Sequence, residues 1–396
     1  MSRVSATALV VLFAIIPLYG TFGALDPDRP PIPPLVPQAV TVAIALVALA
    51  AMLAVVPAAW RAARRDTLTI ALFAPSIAIG LAGLIGFDPP TGLGLALLAA
   101  GFAAAGLAVA RGAGPALVRR CVRALLWSAL VGSLIALAML VAHRPAALYA
   151  YNNGRAVGTF LNPNELAAFA LATLGVAAPL AAASRGRDRL ATACAVVLLI
   201  TLFATFSRWG VFAAVCGVVV YALAARARVL LVGAVAVAVA GIALNQVAGA
   251  LHHNPRDTEA RVVAWQAGLT TFERFPLTGV GPFAYGRTYD AFRPPDGPGP
   301  KTPVAFDPHS LPIAYAAHSG LAALASFAVL ITILVRGALR SARGAAPRSR
   351  AVAIGLAAGL VALLVDGAIN TISLVIPLLI QVGPLALAVV RTDALD

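Results

Sequence analysis

The chain has 396 residues, of which 61% are hydrophobic and 11% charged; soluble domains run at about 45–50% apolar and about 25% charged, so this is an integral membrane protein. Its formal net charge of +14 sits in short basic clusters between apolar runs with no aromatic-interleaved basic face, which argues against a nucleic-acid partner and for topology signals. Cys121, Cys194 and Cys216 lie in or beside apolar segments without paired spacing, which disfavours a disulfide framework or a thiolate metal site and leaves them as packing residues.

A membrane crossing needs about 20 apolar residues, and on that measure the sequence predicts about twelve transmembrane helices. The first covers Ala6–Leu25 behind Arg3. It lacks a clean small-x-small cleavage site and runs into further apolar segments, so it is expected to stay as a helix rather than leave as a signal peptide. The others run near Val36–Pro57, Leu68–Phe87, Gly92–Ala110, Val122–Ala142, Leu166–Ala183, Leu190–Phe206, Trp209–Ala224, Val229–Val247, Leu311–Val335, Ala351–Val365 and Ile372–Val390. No internal repeat and no soluble domain emerges. The reading is an all-α polytopic membrane protein forming one domain over residues 1–396, with one long polar loop, residues 248–310, between predicted helices 9 and 10.

Alternate connections carry Arg61, Arg64 and Arg65; Arg111, Arg119, Arg120 and Arg123; Arg185, Arg187 and Arg189; Arg226 and Arg228; and Arg336, Arg340, Arg343, Arg348 and Arg350. The positive-inside rule puts these connections and both termini in the cytoplasm. The opposite, outer side then holds the DPDRPPIPP loop at Asp26–Pro34, the stretch His143–Glu165, a tight turn at Ser207-Arg208-Trp209, and the long loop.

Chemistry is expected on that outer side. Within the long loop, Asp257 to Arg274 reads as a helix, with Asp257 as a possible cap and Pro276 closing the run. Arg261, Trp265, Leu269 and Phe272 share one stripe. Periodicity alone favours an interfacial helix with Arg261 snorkelling to lipid phosphate. Arg208 lies between two apolar runs, where it is either an interfacial arginine or an anion site, since a fixed guanidinium matches phosphate oxygens bidentately. His309, where the loop enters the next helix, is either structural or a base working near neutral pH. Gly279-Val280-Gly281-Pro282 is either a tight turn or a run of backbone N–H groups facing an anion. Asp26 and Asp28 read as an exposed turn, with a cation site as the alternative. His252, His253 and His318 are weaker candidates, and no spacing resembles a metal site. Asp366 and Asn370 sit at the last outer turn.

Together the motifs GTFLNPNELAAF (Gly158–Phe169), FSRWG (Phe206–Gly210), R-x-x-x-W (Arg261 to Trp265), FPLTGVGPFAYG (Phe275–Gly286) and HSLPIAYAAHSGLAAL (His309–Leu324) resemble, in order and spacing, the O-antigen ligase and polymerase superfamily. The resemblance covers roughly Asn152 to Leu324. It implies a GT-C-type, metal-independent glycosyltransferase without a cofactor. Such an enzyme moves a glycan from an undecaprenyl diphosphate carrier to an acceptor hydroxyl on the periplasmic face of the inner membrane, among membrane lipids. By motif position it implies that Arg208 and Arg261 are the two essential arginines and His309 the essential histidine. Arg155 and Asn164 match its R-x-x-G-x-F-x-x-P-N pattern, as phosphate or sugar ligands or as loop-fixing and capping residues; Trp265, Gly279 and Gly281 join the substrate-binding candidates. His318 departs from the family, standing where many relatives carry an acid.

The residue chemistry fits such a reaction. A sugar diphosphate needs charge stabilised on the leaving group, work for Arg208 and Arg261, and a proton taken from the acceptor, work for His309. The expected function is a ligase acting on lipid A-core, with a polymerase that uses a second lipid-linked repeat as the alternative. A transporter of anionic lipids is more remote, because no paired broken helices occur in two halves.

Overall fold

The computed structural model describes residues 1–19, 38–227, 231–232, 234, 238–239, 241, 256–297, 307–370 and 375–396. Among these residues the chain is helical and contains no strand. In order the helices are α1 Arg3–Ala14, α2 Gln38–Ala62, α3 Thr67–Ile85, α4 Pro89–Leu107 with a π turn to Gly112, α5 Pro115–Ala142, α6 Ala146–Tyr151, α7 Pro163–Ala183, α8 Arg189–Ala204, α9 Arg208–Ala225, α10 Arg256–Arg274, α11 Tyr285–Phe292, α12 Leu311–Ser341, α13 Pro347–Gly367 and α14 Val375–Thr392. Eight are long and apolar enough to cross a membrane, and α1, α8 and the Leu378–Thr392 part of α14 are shorter apolar helices. The expected polytopic all-α class is therefore what the chain adopts. Most of the predicted Val229–Val247 helix, the end of the first segment, the Asp26–Pro34 loop, His252, His253 and the Asp257 side chain lie outside the described residues.

Departures from the expected boundaries have local causes. Helix α5 begins at Pro115, a residue suited to the first helical position, seven residues before its apolar run. Helix α13 begins at Pro347 because the Asp396 carboxylate accepts the Arg348 and Ser349 N–H groups, each at 3.0 Å. These groups would otherwise have no partner at the helix start. Helices α6 and α11, of 6 and 8 residues, are too short to display a helical period in the sequence.

Helix α13 lies at the centre. It packs on α7, α9, α12 and α14. Against α7 the two backbones nearly touch: a Cβ on Gly175 would come within 2.5 Å of the Gly355 carbonyl oxygen, and one on Gly359 within 3.2 Å of the Leu171 carbonyl oxygen. Small residues allow this approach, which is how helices associate where lipid removes the ordinary hydrophobic drive. On its other side Gly217 of α9 meets Ala358 and Ala362. The start of α7, the start of α9 and the end of α13 are thereby brought to one membrane face.

The opposite face gathers the arginine clusters. Arg111 pairs with Asp66, Arg123 with Asp188 at 2.7 Å, and Arg119 reaches the Ala394 carbonyl at 3.0 Å. These ties join the end of α4 to the start of α3, and the start of α5 to the start of α8 and to the carboxy-terminal turn.

Helix α12 is broken. At Gly320 φ is 71° and ψ −170°, a conformation in effect reserved for glycine. Residues 276–281 enter the break: Val280 N–H donates to Ala317 O at 2.9 Å, Gly281 N–H to His318 O at 2.9 Å, and Leu321 N–H to Pro276 O at 2.8 Å. Carbonyls freed by the break are satisfied by this loop, the condition for irregular backbone at membrane depth. Phe87 N–H, at the α3–α4 turn, donates to Val280 O at 3.1 Å and joins that turn to the same loop.

Arg287 of α11 also reaches this turn, with its Nη2 2.9 Å from Asp88 Oδ2. The Thr91 hydroxyl and N–H, and then Arg287, hold the Asp88 carboxyl below the usual carboxylate range. The folded value is the lower one, so the stabilisation is present at neutral pH and is lost as pH falls through it. An Asp88→Asn protein in detergent should melt below wild type at pH 7, and the gap should close as the pH is taken below about 4.

Candidate active site

The site builds from three helix ends. At the start of α7, Asn162 is the cap, accepting the Asn164 N–H at 2.8 Å, and Pro163 takes the first helical position. This frees the Asn164 side chain. Its Oδ1 accepts Arg155 Nη2 at 3.0 Å and the Ser207 hydroxyl at 3.2 Å. Arg155 Nε donates to Thr205 O at 2.7 Å. Arg155 and Asn164 therefore fix the turn between α8 and α9, where Phe206 holds a positive φ of 47°. The capping role considered for Asn164 belongs to Asn162.

Ser207 caps α9 by accepting the Gly210 N–H at 3.2 Å, and Arg208 is its first residue rather than part of the turn. The Arg208 side chain is exposed and makes no hydrogen bond or ion pair among the described residues. It stands at the positive end of a helix, beside the positive end of α7, where anions are favoured.

Helix α10 supplies Arg261 and Trp265. It docks on α12 through Ala264, Ala267, Gly268 and Thr271, all buried. At the closest point, a Cβ on Gly268 would lie 2.5 Å from Ile313 Cγ2. The Arg261 side chain makes a protein contact rather than the outward reach that periodicity favours: its Nη1 donates to Ile369 O, just beyond α13, at 3.2 Å. Trp265 Nε1 donates to His309 O at 3.4 Å, and Leu311, two residues on, packs against Gly367 of α13.

The end of α13 is the meeting point. Asp366 is fully buried, its Oδ1 accepts from Asn370 Nδ2 at 2.9 Å, and the charges of Arg261 and then Arg155 both act on it. Among the described residues Asp366 Oδ2 and Asn370 Oδ1 have no hydrogen-bond partner. Arg155 and Arg261 thus both lie near Asp366, Asn164 and Ser207 join this group through Arg155, and Arg208 and His309 are joined to it through the chain.

Gly279 and Gly281 stand apart from this group. The Gly279, Val280 and Gly281 N–H groups bond to the carbonyls of Phe275, Ala317 and His318. The anion-binding alternative is overturned, since no N–H in this run faces outward, and the tight turn is what forms. His318 sits at the same break, 3.4 Å from Gly281 O through Nδ1. Tyr285 donates to Ala264 O at 2.9 Å. Burial, and then the Asp307 charge, push its hydroxyl pKa far upward, so it remains a donor. Among the described residues no three His, Cys, Asp or Glu side chains are grouped to hold a metal ion.

Sequence reasoning did not foresee Ser207 as the link between Arg155, Asn164 and α9, or Gly320 as the insertion point of the loop. A glycine after two polar residues inside an apolar run, His318-Ser319-Gly320, was the available signal for the latter. No curated protein matches the chain. Residues 193–328, which carry Arg208, Arg261 and His309, match the family model described as O-antigen ligase, and this match supports the resemblance to the O-antigen ligase and polymerase superfamily.

Proposed function

We propose that this protein is a glycosyltransferase of the O-antigen ligase type, with GT-C-type chemistry. It transfers a glycan from undecaprenyl diphosphate to a hydroxyl of lipid A-core, without a metal, on the periplasmic face of the inner membrane, and both its termini are cytoplasmic. The observation that carries this reading is the convergence of Arg155 and Arg261 on Asp366, beside the α9 start that bears Arg208. Three guanidinium groups and two helix starts on one face suit a diphosphate, which binds arginine through paired, charge-assisted hydrogen bonds.

In this mechanism Arg208 and Arg261 stabilise the charge that grows on the departing diphosphate. Arg155 is held in place by Thr205 O and Asn164 Oδ1, and Arg261 by Ile369 O. His309 takes the proton from the acceptor hydroxyl as that oxygen attacks the anomeric carbon and the bond to the diphosphate oxygen breaks. Part of the site is carried by the loop between residues 248 and 310, and Trp265 ties α10, within that loop, to His309 at its end.

The test is a transfer assay with purified protein and an undecaprenyl diphosphate-linked oligosaccharide, with and without lipid A-core, in the presence of a chelator. Glycan joined to the core despite the chelator is the expected result. Ladders of longer lipid-linked glycan in the absence of acceptor would make the protein a polymerase. Directional movement of the carrier across vesicles with no transfer would make it a transporter.

A further inference from the structure

The backbone of His309 is gripped from two directions. Its N–H donates to Asp307 Oδ1 at 2.6 Å, and its carbonyl accepts the Trp265 indole N–H at 3.4 Å. Between these contacts the residue sits at φ 52°, in the left-handed region that residues with a side chain seldom enter. The intervening Pro308 is buried against α10, where a Cβ on Gly268 would come within 3.3 Å of it. An unfavourable backbone conformation persists only where its surroundings over-determine it, and such positions cluster where a side chain must be aimed.

We propose that Asp307 is a positioning residue for His309: by accepting the His309 N–H it holds the left-handed turn that aims the imidazole at the acceptor hydroxyl. This rests on the reading of His309 as the base. The role requires a hydrogen-bond acceptor two residues before His309, not a negative charge. Asparagine offers the same acceptor oxygen, and alanine offers none. The charge of Asp307 also acts on Tyr285 and His318, so a role in charge balance makes the opposite forecast for asparagine.

The experiment compares Asp307→Asn and Asp307→Ala in the full-length protein, using an undecaprenyl diphosphate-linked oligosaccharide and lipid A-core. The Asn variant should keep kcat within about threefold of wild type. The Ala variant should lose about 10–100-fold in kcat with the donor KM little changed, as expected when a reacting group is misaimed rather than substrate lost. Wild-type kcat in the Ala variant, or an equally deep loss in the Asn variant, overturns the proposal.

A second readout needs no activity. Hydrogen exchange of the peptide that carries the His309 amide, followed by mass spectrometry, should speed up about tenfold or more in the Ala variant and stay unchanged in the Asn variant. Unchanged exchange in the Ala variant also overturns the proposal. If that variant does not elute as a single species, the Asn variant decides: wild-type kcat and exchange support the acceptor role, and loss of either refutes it. A fully active His309→Ala protein would instead overturn the reading of His309 as base, and the exchange result would still report on the clamp.

Discussion

Replacing His309 by alanine is expected to lower kcat by about 10²–10⁴-fold, the usual contribution of a positioned general base, while leaving the donor KM nearly unchanged. The acceptor hydroxyl would then have to lose its proton to water. In the proposed mechanism donor binding depends on the arginines, which are held by α7, α9 and α13 independently of the imidazole. Arg261→Ala should behave differently. A charge-assisted hydrogen bond contributes about 1.5–3 kcal/mol, which corresponds to about 10–150-fold per bond in kcat/KM. Because the same guanidinium meets the bound diphosphate before and during bond breaking, part of that loss should appear in KM. Steady-state kinetics with the lipid-linked donor varied at saturating lipid A-core separate the two patterns. Equal effects on KM in both variants would mean that His309 contacts the donor rather than the proton.

Gly320→Val is expected to prevent recovery of folded protein. A Cβ at this position would lie 2.2 Å from the Leu277 carbonyl oxygen and 2.6 Å from the Thr278 nitrogen, in a backbone conformation that valine does not adopt. Neither strand of this junction can yield, because Leu321 N–H, Val280 N–H and Gly281 N–H hold them together. The loss should exceed about 4 kcal/mol, the range reserved for named structural failures. The control is Gly94→Ala in α4, where an added methyl meets nothing within 4 Å and should leave stability unchanged or slightly improved. Size-exclusion profiles in detergent after graded heating distinguish the variants. A Gly320→Val protein as heat-resistant as wild type would refute the account of the break.

The helical architecture was legible because membrane helices announce themselves by length and apolarity, whatever they pack against. The same rule hid their ends. Pro347 and Pro115 begin helices inside arginine-rich stretches, where proline at the first helical position and, at α13, the Asp396 carboxylate decide the boundary rather than apolarity. On the side expected to be outer, Arg155, Asn164, Arg208, Arg261, Trp265 and His309 were readable as candidates from residue type and motif order. Which of them meet was not. Arg261 finds the end of α13 only because Gly268 lets α10 lie close on α12, a fact of three-dimensional contact with no period in the sequence. Gly279 and Gly281 could be read from the sequence as a tight turn or as a cradle for an anion. Their N–H groups answer instead to a helix broken about 40 residues later, as backbone groups at membrane depth must find partners.

Helix α13 also bears on how the chain is assembled. Mostly buried along its length, it is shielded from lipid by α7, α9, α12 and α14, and its glycine surface and Asp366 are compatible with the bilayer only through those neighbours. A nascent α13 leaving the insertion machinery alone would offer lipid a notched surface and an unneutralised carboxylate, a costly arrangement in hydrocarbon. Partitioning of this span should therefore wait for α7 and α9, made earlier in synthesis, to receive it. The face that joins the ends of α7, α9 and α13 would then come into being only at that late docking step.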